Sequence, residues 1–249
     1  MRKFFVNNLE IMDNHIVLSN VKIIHHLKNV LRAEINNEFL LSDNTNEYKV
    51  KILEMSNKNI KFEILEKNKI FSSRKISISL FQGLPKNKKL EFIIQKGTEI
   101  GIDEFSPFIS ERTILPKNFD LKKKKDRLIK IAKEAAEQSK RKTLPLINAV
   151  IKENEVLEKL KNINFDLIIL LYESEKKLTL KDILKKNAVI KKNRIKIAII
   201  IGPEGGFSEK EILNFKGRGA KIVSLGDNIL RTESAGLITA AMIKYEFEL

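Results

Sequence analysis

The chain has 249 residues, of which 43% are hydrophobic, and its 47 basic and 32 acidic side chains give a formal net charge of +15. This length fits one large domain or two smaller ones, with enough apolar residues for packed cores. It contains no cysteine and only three histidines, which excludes disulfide scaffolds, thiolate chemistry and the usual zinc clusters, and no apolar run approaches the ~20 residues that span a bilayer. We therefore expect a globular, cytoplasmic protein that holds no metal.

The positive charge predicts a polyanionic partner such as RNA or DNA, because Lys and Arg attract phosphates and release counterions. An alternative origin is an A/T-rich genome, since 38 of the basic residues are Lys and Asn and Ile are also abundant. The nine Arg residues are more informative, because a planar guanidinium is hard to replace where it grips phosphate, carboxylate or a base.

The first part of the chain predicts small β structure. Residues 48–53 and 59–65 alternate apolar and polar side chains, and the turn signal Ser56-Asn-Lys-Asn separates them. A short helix is predicted over Val21 to Leu31, where apolar residues recur near helical spacing. Its two adjacent histidines do not share a helix face and have no third ligand nearby, which favours a structural or RNA-facing role over a metal site.

After residue 72 the pattern changes to strands that alternate with helices, and we place a domain boundary there. The predicted strands cover residues 76–82, 104–109, 165–172, 195–202 and 221–225, with a short extension near 146–150. The predicted helices cover residues 89–100, 119–140, 153–161, 208–216 and 232–246. Two of the strands are nearly uninterrupted apolar runs, which is typical of strands buried on both faces of a parallel sheet. The pattern predicts an open α/β sheet.

Three strand ends carry unusual loops, and ligands bind beyond the carboxyl ends of strands in open parallel sheets. The loops are Leu170–Ser174, Gly202–Phe207 (GPEGGF) and Leu225–Ala235 (LGDNILRTESA). An ordinary strand-to-helix turn is the alternative for each. Glu204 stands where a phosphate-binding loop would carry Lys, and the chain has neither GxGxxG nor GK[ST] there. An acid among glycines favours a cationic or polar ligand that approaches bare backbone, such as a sulfonium cofactor.

Taken together, these motifs resemble the SPOUT methyltransferases, specifically the RsmE family, which methylates N3 of a uridine in 16S ribosomal RNA. The resemblance is carried by GPEGGF and LGDNILRTESAGL, and by HHLKNVLR at 25–32, IIQKGTEIGIDEFSPFISERT at 93–113 and EAAEQSKR at 134–141. It covers nearly the whole chain. It implies a PUA-like RNA-binding β-barrel over residues 1–72, followed over residues 73–249 by an α/β SPOUT domain with a parallel sheet and a carboxyl-terminal trefoil knot.

The resemblance also implies a cofactor and its site. S-adenosylmethionine is expected in the crevice of the three loops. The cofactor-binding residues carried over are Leu171, Tyr172, Glu173, Ile201, Gly202, Pro203, Gly205, Gly206, Leu225, Gly226, Ile229, Leu230 and Ala235. A homodimer with the terminal helix at its interface is implied as well.

The reaction requires that the N3 proton leaves, so a base or a stabiliser of the imide anion is needed. The candidates are Arg231, Glu204 and Glu233, with Arg231 the essential group and Glu204 either a base or a residue that fixes its loop. Residues expected to bind RNA are His25, Arg32, Lys96, Arg112 and Arg141.

Two other functions remain open at this point. The chain could methylate another RNA base with the same fold, or it could be a catalytically inactive RNA-binding protein. A different nucleotide-dependent α/β enzyme would need a GxGxxG or GK[ST] loop, which the chain lacks at these strand ends. The partner is predicted to be 16S rRNA, free or within the small ribosomal subunit. One residue is unfavourable for its predicted helix: Gly97 costs ~1 kcal/mol of helix propensity relative to Ala.

Overall fold

A computed structural model of the chain describes residues 1–6, 9–70, 75–86, 88–115, 121–187 and 194–248. The chain divides into two compact units, the first formed by Met1–Ser72 with Ala136–Leu144 and the second by Ser73–Ala135 with Pro145–Leu249. The first cut coincides with the expected boundary after residue 72. The segment Ala136–Leu144 was expected in the second part and instead groups with the first unit. The functional division into two domains stays a prediction.

The first unit is built on a six-stranded sheet in the order β1-β4-β5-β6-β3-β2. Its neighbouring strands are antiparallel except for β1 and β4, which are parallel. The strands are β1 Lys3–Phe5, β2 Glu10–Met12, β3 His15–Leu18, β4 Glu38–Ser42, β5 Asn46–Met55 and β6 Ile60–Lys69. In β5 the buried residues Tyr48, Val50 and Ile52 alternate with more exposed ones, as the sequence predicts for a strand with one buried face.

The helix predicted over Val21 to Leu31 has two parts. Helix α1 covers Val21–His25, and its cap is Asn20, whose Oδ1 accepts hydrogen bonds from two backbone N–H groups at 3.1 and 3.2 Å. A π-helical turn, His26–Val30, continues it. The apolar side chains of this segment pack into the core of the first unit, so the predicted amphipathic pattern is confirmed, although the backbone widens after its first turn.

The second unit is a parallel α/β structure with the strand order β10-β8-β7-β12-β11-β13, and β9 pairs with β8. Its strands are β7 Ile76–Gly83, β8 Glu104–Ile109, β9 Leu146–Ile147, β10 Ile151–Lys152, β11 Leu167–Leu171, β12 Ile195–Ile201 and β13 Lys221–Val223. Its helices are α2 Lys89–Ile100, α3 Leu121–Gln138, α4 Glu153–Asn162, α5 Leu180–Asn187, α6 Glu209–Gly217 and α7 Thr232–Glu248. The order of the strands in the sheet differs from their order along the chain, because β12 lies between β7 and β11.

The strand β12 shows why its sequence is so uniformly apolar. Ile197, Ile199 and Ile201 pack into one hydrophobic core of the second unit, while Ala198 and Ile200 pack into another. Helices therefore cover both faces of the sheet, as in parallel sheets generally. The prediction of strands buried on both faces is confirmed.

The glycine in α2 has a packing reason that its sequence context does not show. A Cβ atom at Gly97 would lie 2.7 Å from the ring of Phe105 and 3.0 Å from Ile102, too close for a real contact. The absence of a side chain lets α2 approach β8, and this packing offsets the lost helix propensity.

Some predicted elements differ in extent. The strand expected over residues 165–172 is shorter, because the N–H of Phe165 is hydrogen-bonded to the carbonyl of Ile163 in a turn. The short extension near residues 146–150 is two separate two-residue strands, β9 and β10, on either side of a loop. Helix α5, in the loop between β11 and β12, was not predicted.

Candidate functional site

A cavity of about 470 Å³ lies at the carboxyl ends of β11, β12 and β13. Its walls are the three loops that follow these strands, the first residues of α7, and one residue of α2, Lys89. Every predicted cofactor-binding residue except Gly205 lines this cavity. The structure thus gathers these residues in one place, whereas their binding roles stay predictions.

Two glycines at or beside the cavity occupy positions where a side chain would not fit. Gly206 has a φ of +67°, and a Cβ atom there would lie 2.9 Å from a carboxylate oxygen of Glu173. A Cβ atom at Gly83, the last residue of β7, would lie 2.6 Å from the backbone nitrogen of Pro203. Both positions would clash or be strained with any side chain, so these glycines set the spacing of the cavity walls.

A buried hydrogen-bonded chain fixes the start of α7. The Nε2 of Gln82 donates to the Oγ1 of Thr232 at 2.9 Å, and this hydroxyl donates to the carbonyl of Gly202 at 2.6 Å. Gln82 is only 1% exposed and Thr232 only 8%. Gln82 lies near the end of β7, Thr232 begins α7 and Gly202 follows β12. The two hydrogen bonds therefore join the elements that surround the cavity.

An ionic bridge at the edge of the cavity joins α2, the GPEGGF loop and α7. The Nζ of Lys89 lies 3.0 Å from the Oε1 of Glu204 and 3.1 Å from the Oε2 of Glu233. The backbone N–H of Lys86 also donates to both carboxylate oxygens of Glu204, at 3.1 and 3.2 Å. We call the group of Lys89, Glu204 and Glu233 the Lys89 bridge.

The Lys89 bridge favours the charged forms of Lys89 and Glu204. Burial alone would raise the pKa of Glu204, but the hydrogen bonds from Lys89 and from backbone N–H groups outweigh it and lower this pKa. The pKa of Lys89 is raised, first by the hydrogen bond to Glu204 and then, against partial burial, by Glu233. Glu204 is consequently a weak base at neutral pH.

Arg231 differs from these residues because its side chain is exposed and uncommitted. It lines the cavity, and the described residues offer its guanidinium no hydrogen bond or ion pair. Its backbone carbonyl accepts the N–H groups of Ser234 and Ala235, at 2.8 and 2.9 Å, at the start of α7. The predicted catalytic residues are thus brought together, with Arg231 and Glu204 on the cavity wall and Glu233 reached through Lys89.

The residues predicted to bind RNA do not form one group. His25 and Arg32 are exposed on the first unit, and Arg32 has an unusual φ of +50°. Arg141 belongs to the same unit but is only 6% exposed, and its Nε donates to the carbonyl of Thr143 at 3.2 Å. A buried guanidinium that serves a backbone carbonyl is poorly placed to contact phosphate, so the structure argues for a structural role for Arg141.

In the second unit, Lys96 is paired with Glu99 one helical turn further on, at 2.9 Å. Arg112 donates from its NH1 to the carbonyl of Gly205 at 3.0 Å. This contact places Arg112 behind the GPEGGF loop and explains why Gly205, which points toward Arg112, is absent from the cavity wall.

The neighbouring residue Glu111 strengthens this attachment. Its carboxylate accepts the hydroxyl of Ser208 at 2.8 Å, and its backbone N–H donates to Glu211 at 3.0 Å. Ser208 and Glu211 themselves form a capping box at the start of α6. The loop after β8 therefore holds the start of α6, which follows directly on the GPEGGF loop.

The sequence pattern did not reveal Lys89, Gln82 or Glu111. Lys89 is one of many lysines, and neither its type nor its spacing distinguishes it. A polar residue at the end of an apolar strand is a weak signal for Gln82, because strand ends commonly turn polar. Only the order of the strands brings these residues to the loops of β12 and α7.

Neither a candidate metal-binding cluster nor a membrane-spanning helix is present in the described part of the chain. No group of three or more His, Cys, Asp or Glu side chains is placed there to hold a metal ion. Within the same residues, no helix is both long and apolar enough to cross a membrane.

Comparison with protein families gives two matches. Residues 72–244 match the family model of an RNA methyltransferase domain, and residues 18–65 match that of an RNA methyltransferase PUA domain. Together these models span most of both compact units.

Individual relatives agree with this result. The chain is 33% identical over 230 residues to the ribosomal RNA small subunit methyltransferase E of Bacillus subtilis (strain 168), covering 91% of this chain and 88% of the relative. It is 36% identical over 238 residues to the protein of the same name from Mesomycoplasma hyopneumoniae (strain 232), covering 95% and 96%.

A solved structure is similar over its full length. It is the ribosomal RNA small subunit methyltransferase E of Neisseria gonorrhoeae bound to S-adenosyl methionine, with a TM-score of 0.82 and 28% identity over 99% of this chain and 98% of that one. The predicted fold class is confirmed: an α/β domain with a parallel sheet, of the SPOUT type, follows a small PUA-like β domain. The carboxyl-terminal trefoil knot and the closure of the first sheet into a barrel stay predictions.

Proposed function

Since the chain belongs to the ribosomal RNA small subunit methyltransferase E family, we propose that it transfers a methyl group from S-adenosylmethionine to N3 of a uridine in 16S rRNA. The observation that carries this proposal is the cavity at the carboxyl ends of β11, β12 and β13. Its three loops are those by which the sequence resembles the family.

The residues around the cavity fit this cofactor. The volume of about 470 Å³ is of the size that small-molecule sites have. Leu171, Ile201 and Leu225 offer apolar surface for a base, and the bare backbone at Gly206 permits close approach. The carboxylate of Glu173 lies beside that glycine and suits a cationic ligand. When bound, the cofactor supplies an electrophilic methyl group on a sulfonium.

Arg231 is the group that we assign to the reacting uracil. As the N3 proton leaves, negative charge develops on the imide and its oxygens, and an oriented guanidinium stabilises that charge. The side chain of Arg231 is free for this role, because the described residues bind only its backbone carbonyl.

Of the two roles left open for Glu204, the geometry supports the loop-fixing one. Its carboxylate already accepts hydrogen bonds from Lys89 and from the backbone of Lys86. Its lowered pKa also makes it a poor acceptor for the N3 proton. Glu233 is held in the same way through Lys89.

The target base must be unpaired or flipped, because N3 takes part in Watson–Crick pairing. We assign phosphate contacts to exposed basic and polar side chains of the PUA-like unit, among them Arg32 and His25. Contacts of this kind weaken with salt through counterion release, so RNA affinity should fall as the salt concentration rises. An affinity that does not depend on salt would contradict this part of the proposal.

The proposed setting is the cytoplasm, with 16S rRNA as partner either free or within the small ribosomal subunit. A homodimer with α7 at its interface is also proposed, on the resemblance to the family. Light scattering of the purified protein tests it, and a single species of 28.7 kDa would refute it.

A methyl-transfer assay in which the modified nucleoside is identified tests the function. The purified protein is incubated with methyl-labelled S-adenosylmethionine and either 16S rRNA or small subunits from cells that lack the gene. We expect label in 3-methyluridine after digestion to nucleosides. Label in a different nucleoside would favour the alternative of another target base, and RNA binding without any transfer would favour an inactive RNA-binding protein.

A further inference from the structure

We propose that Lys89 is a positioning residue for methyl transfer, which acts through Glu204 and Glu233 to hold the GPEGGF loop against the first turn of α7. This inference rests on the proposed function and concerns the same cavity. Lys89 is assigned no contact with the methyl donor or with RNA.

The geometry of the Lys89 bridge joins three separate segments of the chain. Lys89 is the first residue of α2, Glu204 lies at the middle of the GPEGGF loop, and Glu233 lies in the first turn of α7. One ammonium nitrogen reaches both carboxylates at 3.0 and 3.1 Å. A single side chain thus fixes the distance between the loop and the helix.

The position of Glu233 makes this distance important for the reaction. Glu233 lies two residues after Arg231, on the turn that directs the Arg231 side chain to the cavity. A shift of the GPEGGF loop away from this turn would change the position of Arg231 relative to the cofactor loops. A misplacement of about 1 Å can reduce a rate by ~100-fold.

The charges explain why removal of Lys89 would cause such a shift. One oxygen of Glu204 and one of Glu233 lie within 3.1 Å of the Lys89 nitrogen. Without Lys89 these two carboxylates would face each other across the gap. Like charges at this separation repel, and partial burial limits screening by water. The side chains of Lys89, Glu204 and Glu233 are 30, 27 and 16% exposed.

The fold itself does not depend on this bridge. The buried hydrogen bond from Thr232 to Gly202 joins α7 to the GPEGGF loop without any charge, and the one from Gln82 to Thr232 joins α7 to β7. Loss of Lys89 should therefore loosen the edge of the cavity while the protein stays folded. A role in positioning and a role in stability can be separated for this reason.

The test uses the full-length protein and four variants. Lys89→Met removes the charge and keeps the length of the side chain, and Lys89→Arg keeps the charge. The double variant Lys89→Met/Glu204→Gln also removes one of the two repelling charges. Lys185→Met, an exposed lysine on α5, is the matched control for the substitution itself.

We expect kcat of Lys89→Met to fall by about 10- to 100-fold, with a much smaller change in the KM for S-adenosylmethionine. Lys89→Arg and the double variant should recover a large part of this loss. Lys185→Met should keep wild-type activity. A loss in Lys89→Met that Glu204→Gln does not recover would overturn the proposal, because repulsion between the carboxylates would not be its cause.

The pH dependence gives a readout that a purely structural role would not change. Without Lys89 the burial of Glu204 remains but its main cationic partner is lost, so its pKa rises. Protonation of Glu204 then removes the repulsion, so the deficit of Lys89→Met relative to wild type should shrink as the pH is lowered. The other charged groups on the cavity wall, Glu173, Asp227 and Arg231, are present in both proteins. A ratio that stays constant with pH would contradict the proposal.

Hydrogen exchange tests the bridge without any methyl transfer. Backbone N–H groups of residues 204–207 and 230–234 should exchange faster in Lys89→Met than in wild type, and the double variant should restore their protection. Unchanged exchange would overturn the inference. If the wild-type protein does not methylate RNA but this exchange pattern is found, the proposed function fails while the bridge stands, so the two failures are distinguishable.

Discussion

The two sheets of the protein place their charged side chains in different ways. On the first sheet one face is buried, and most charged residues lie on the other face along the strands, with the buried Lys3 of β1 as an exception. There they form cross-strand ion pairs, such as Lys51 with Glu63 at 2.8 Å and Lys49 with Glu38 at 3.1 Å. Each pair is partly exposed and joins neighbouring strands of one sheet, so each contributes little to stability.

The second sheet is buried on both faces, and its central strands carry few charges. The charged groups gather instead beyond the strand ends, where Lys89, Glu204, Glu233 and Arg231 lie around one cavity. Lys and Glu side chains thus form a solvated surface on the first sheet, whereas beyond the strand ends of the second sheet they surround one site. Substitutions in the two regions should differ accordingly.

The largest effect is expected at Arg231. Arg231→Ala should reduce methyl transfer by ~100-fold or more, the scale for loss of one oriented electrostatic group. Cofactor affinity should remain nearly unchanged, because the guanidinium is assigned to the uracil. Calorimetry with S-adenosylmethionine and a labelled-methyl assay measure the two quantities. Arg194→Ala, at the opposite end of β12, is the matched control, and unchanged turnover in Arg231→Ala would disprove the assignment.

The next effect concerns backbone contact at the end of the second sheet. Gly83→Ala would place a methyl group 2.6 Å from the nitrogen of Pro203, and such overpacking costs ~1–3 kcal/mol of unfolding free energy. Cofactor affinity should fall as well, because Pro203 is on the cavity wall.

The control for Gly83→Ala is Gly217→Ala at the end of α6, where an added Cβ would meet nothing within 4 Å. This variant should be neutral or gain up to about 1 kcal/mol. Denaturant unfolding measures both proteins. Equal stability of the two variants would show that the backbones at Gly83 and Pro203 are not constrained as described.

An ion pair that joins two helices of the second unit should have an intermediate effect. Glu91 of α2 contacts Lys124 and Arg127 of α3 at 3.1 and 2.8 Å. Burial would raise the pKa of Glu91, but the two cations outweigh it and lower this pKa. Glu91→Gln should cost about 1 kcal/mol at neutral pH, since the carboxylate is mostly buried and Arg127 is exposed.

The sign of this effect with pH follows from the lowered pKa. The folded protein binds the Glu91 proton less readily than the unfolded chain, so the charged pair stabilises above about pH 4.3, the usual glutamate pKa. The contribution is lost as the pH falls through the lower pKa of the folded state. The difference between wild type and Glu91→Gln should shrink in acid, and a difference that grows there would refute the pairing.

The smallest effect is expected on the first sheet. Lys51→Met removes a cross-strand pair whose side chains are 31 and 33% exposed, and it should change the free energy of unfolding by less than about 1 kcal/mol. Methyl transfer should keep its wild-type rate. A larger loss of activity here than at Lys89 would reverse the comparison between the sheets.

Sequence patterns predicted much of the second sheet because burial leaves a direct mark on residue type. The apolar runs of β11 and β12 and the bounds of α2 and β8 could be predicted for this reason. The cofactor loops could be predicted because their glycines and acids are unusual after such strands. The carboxyl-terminal knot stays a prediction from the motifs by which the sequence resembles the family, because no periodicity encodes it.

What the sequence did not reveal depends on contacts between distant segments. Lys89 reaches its partners only because β12 lies beside β7. Arg141 looked like a free cation, but it is buried and bonded to the carbonyl of Thr143. Gly97 is unfavourable for helix propensity, but the ring of Phe105 packs against it and leaves no room for a side chain.

The most direct test of the proposed function is mass spectrometry of 16S rRNA from cells that lack the gene, complemented with wild-type protein or with Arg231→Ala. We predict that one 3-methyluridine is absent without the gene, returns with the wild-type protein, and stays absent or strongly reduced with Arg231→Ala. A 16S rRNA that keeps all its 3-methyluridine in the absence of the gene would contradict the function proposed for this protein.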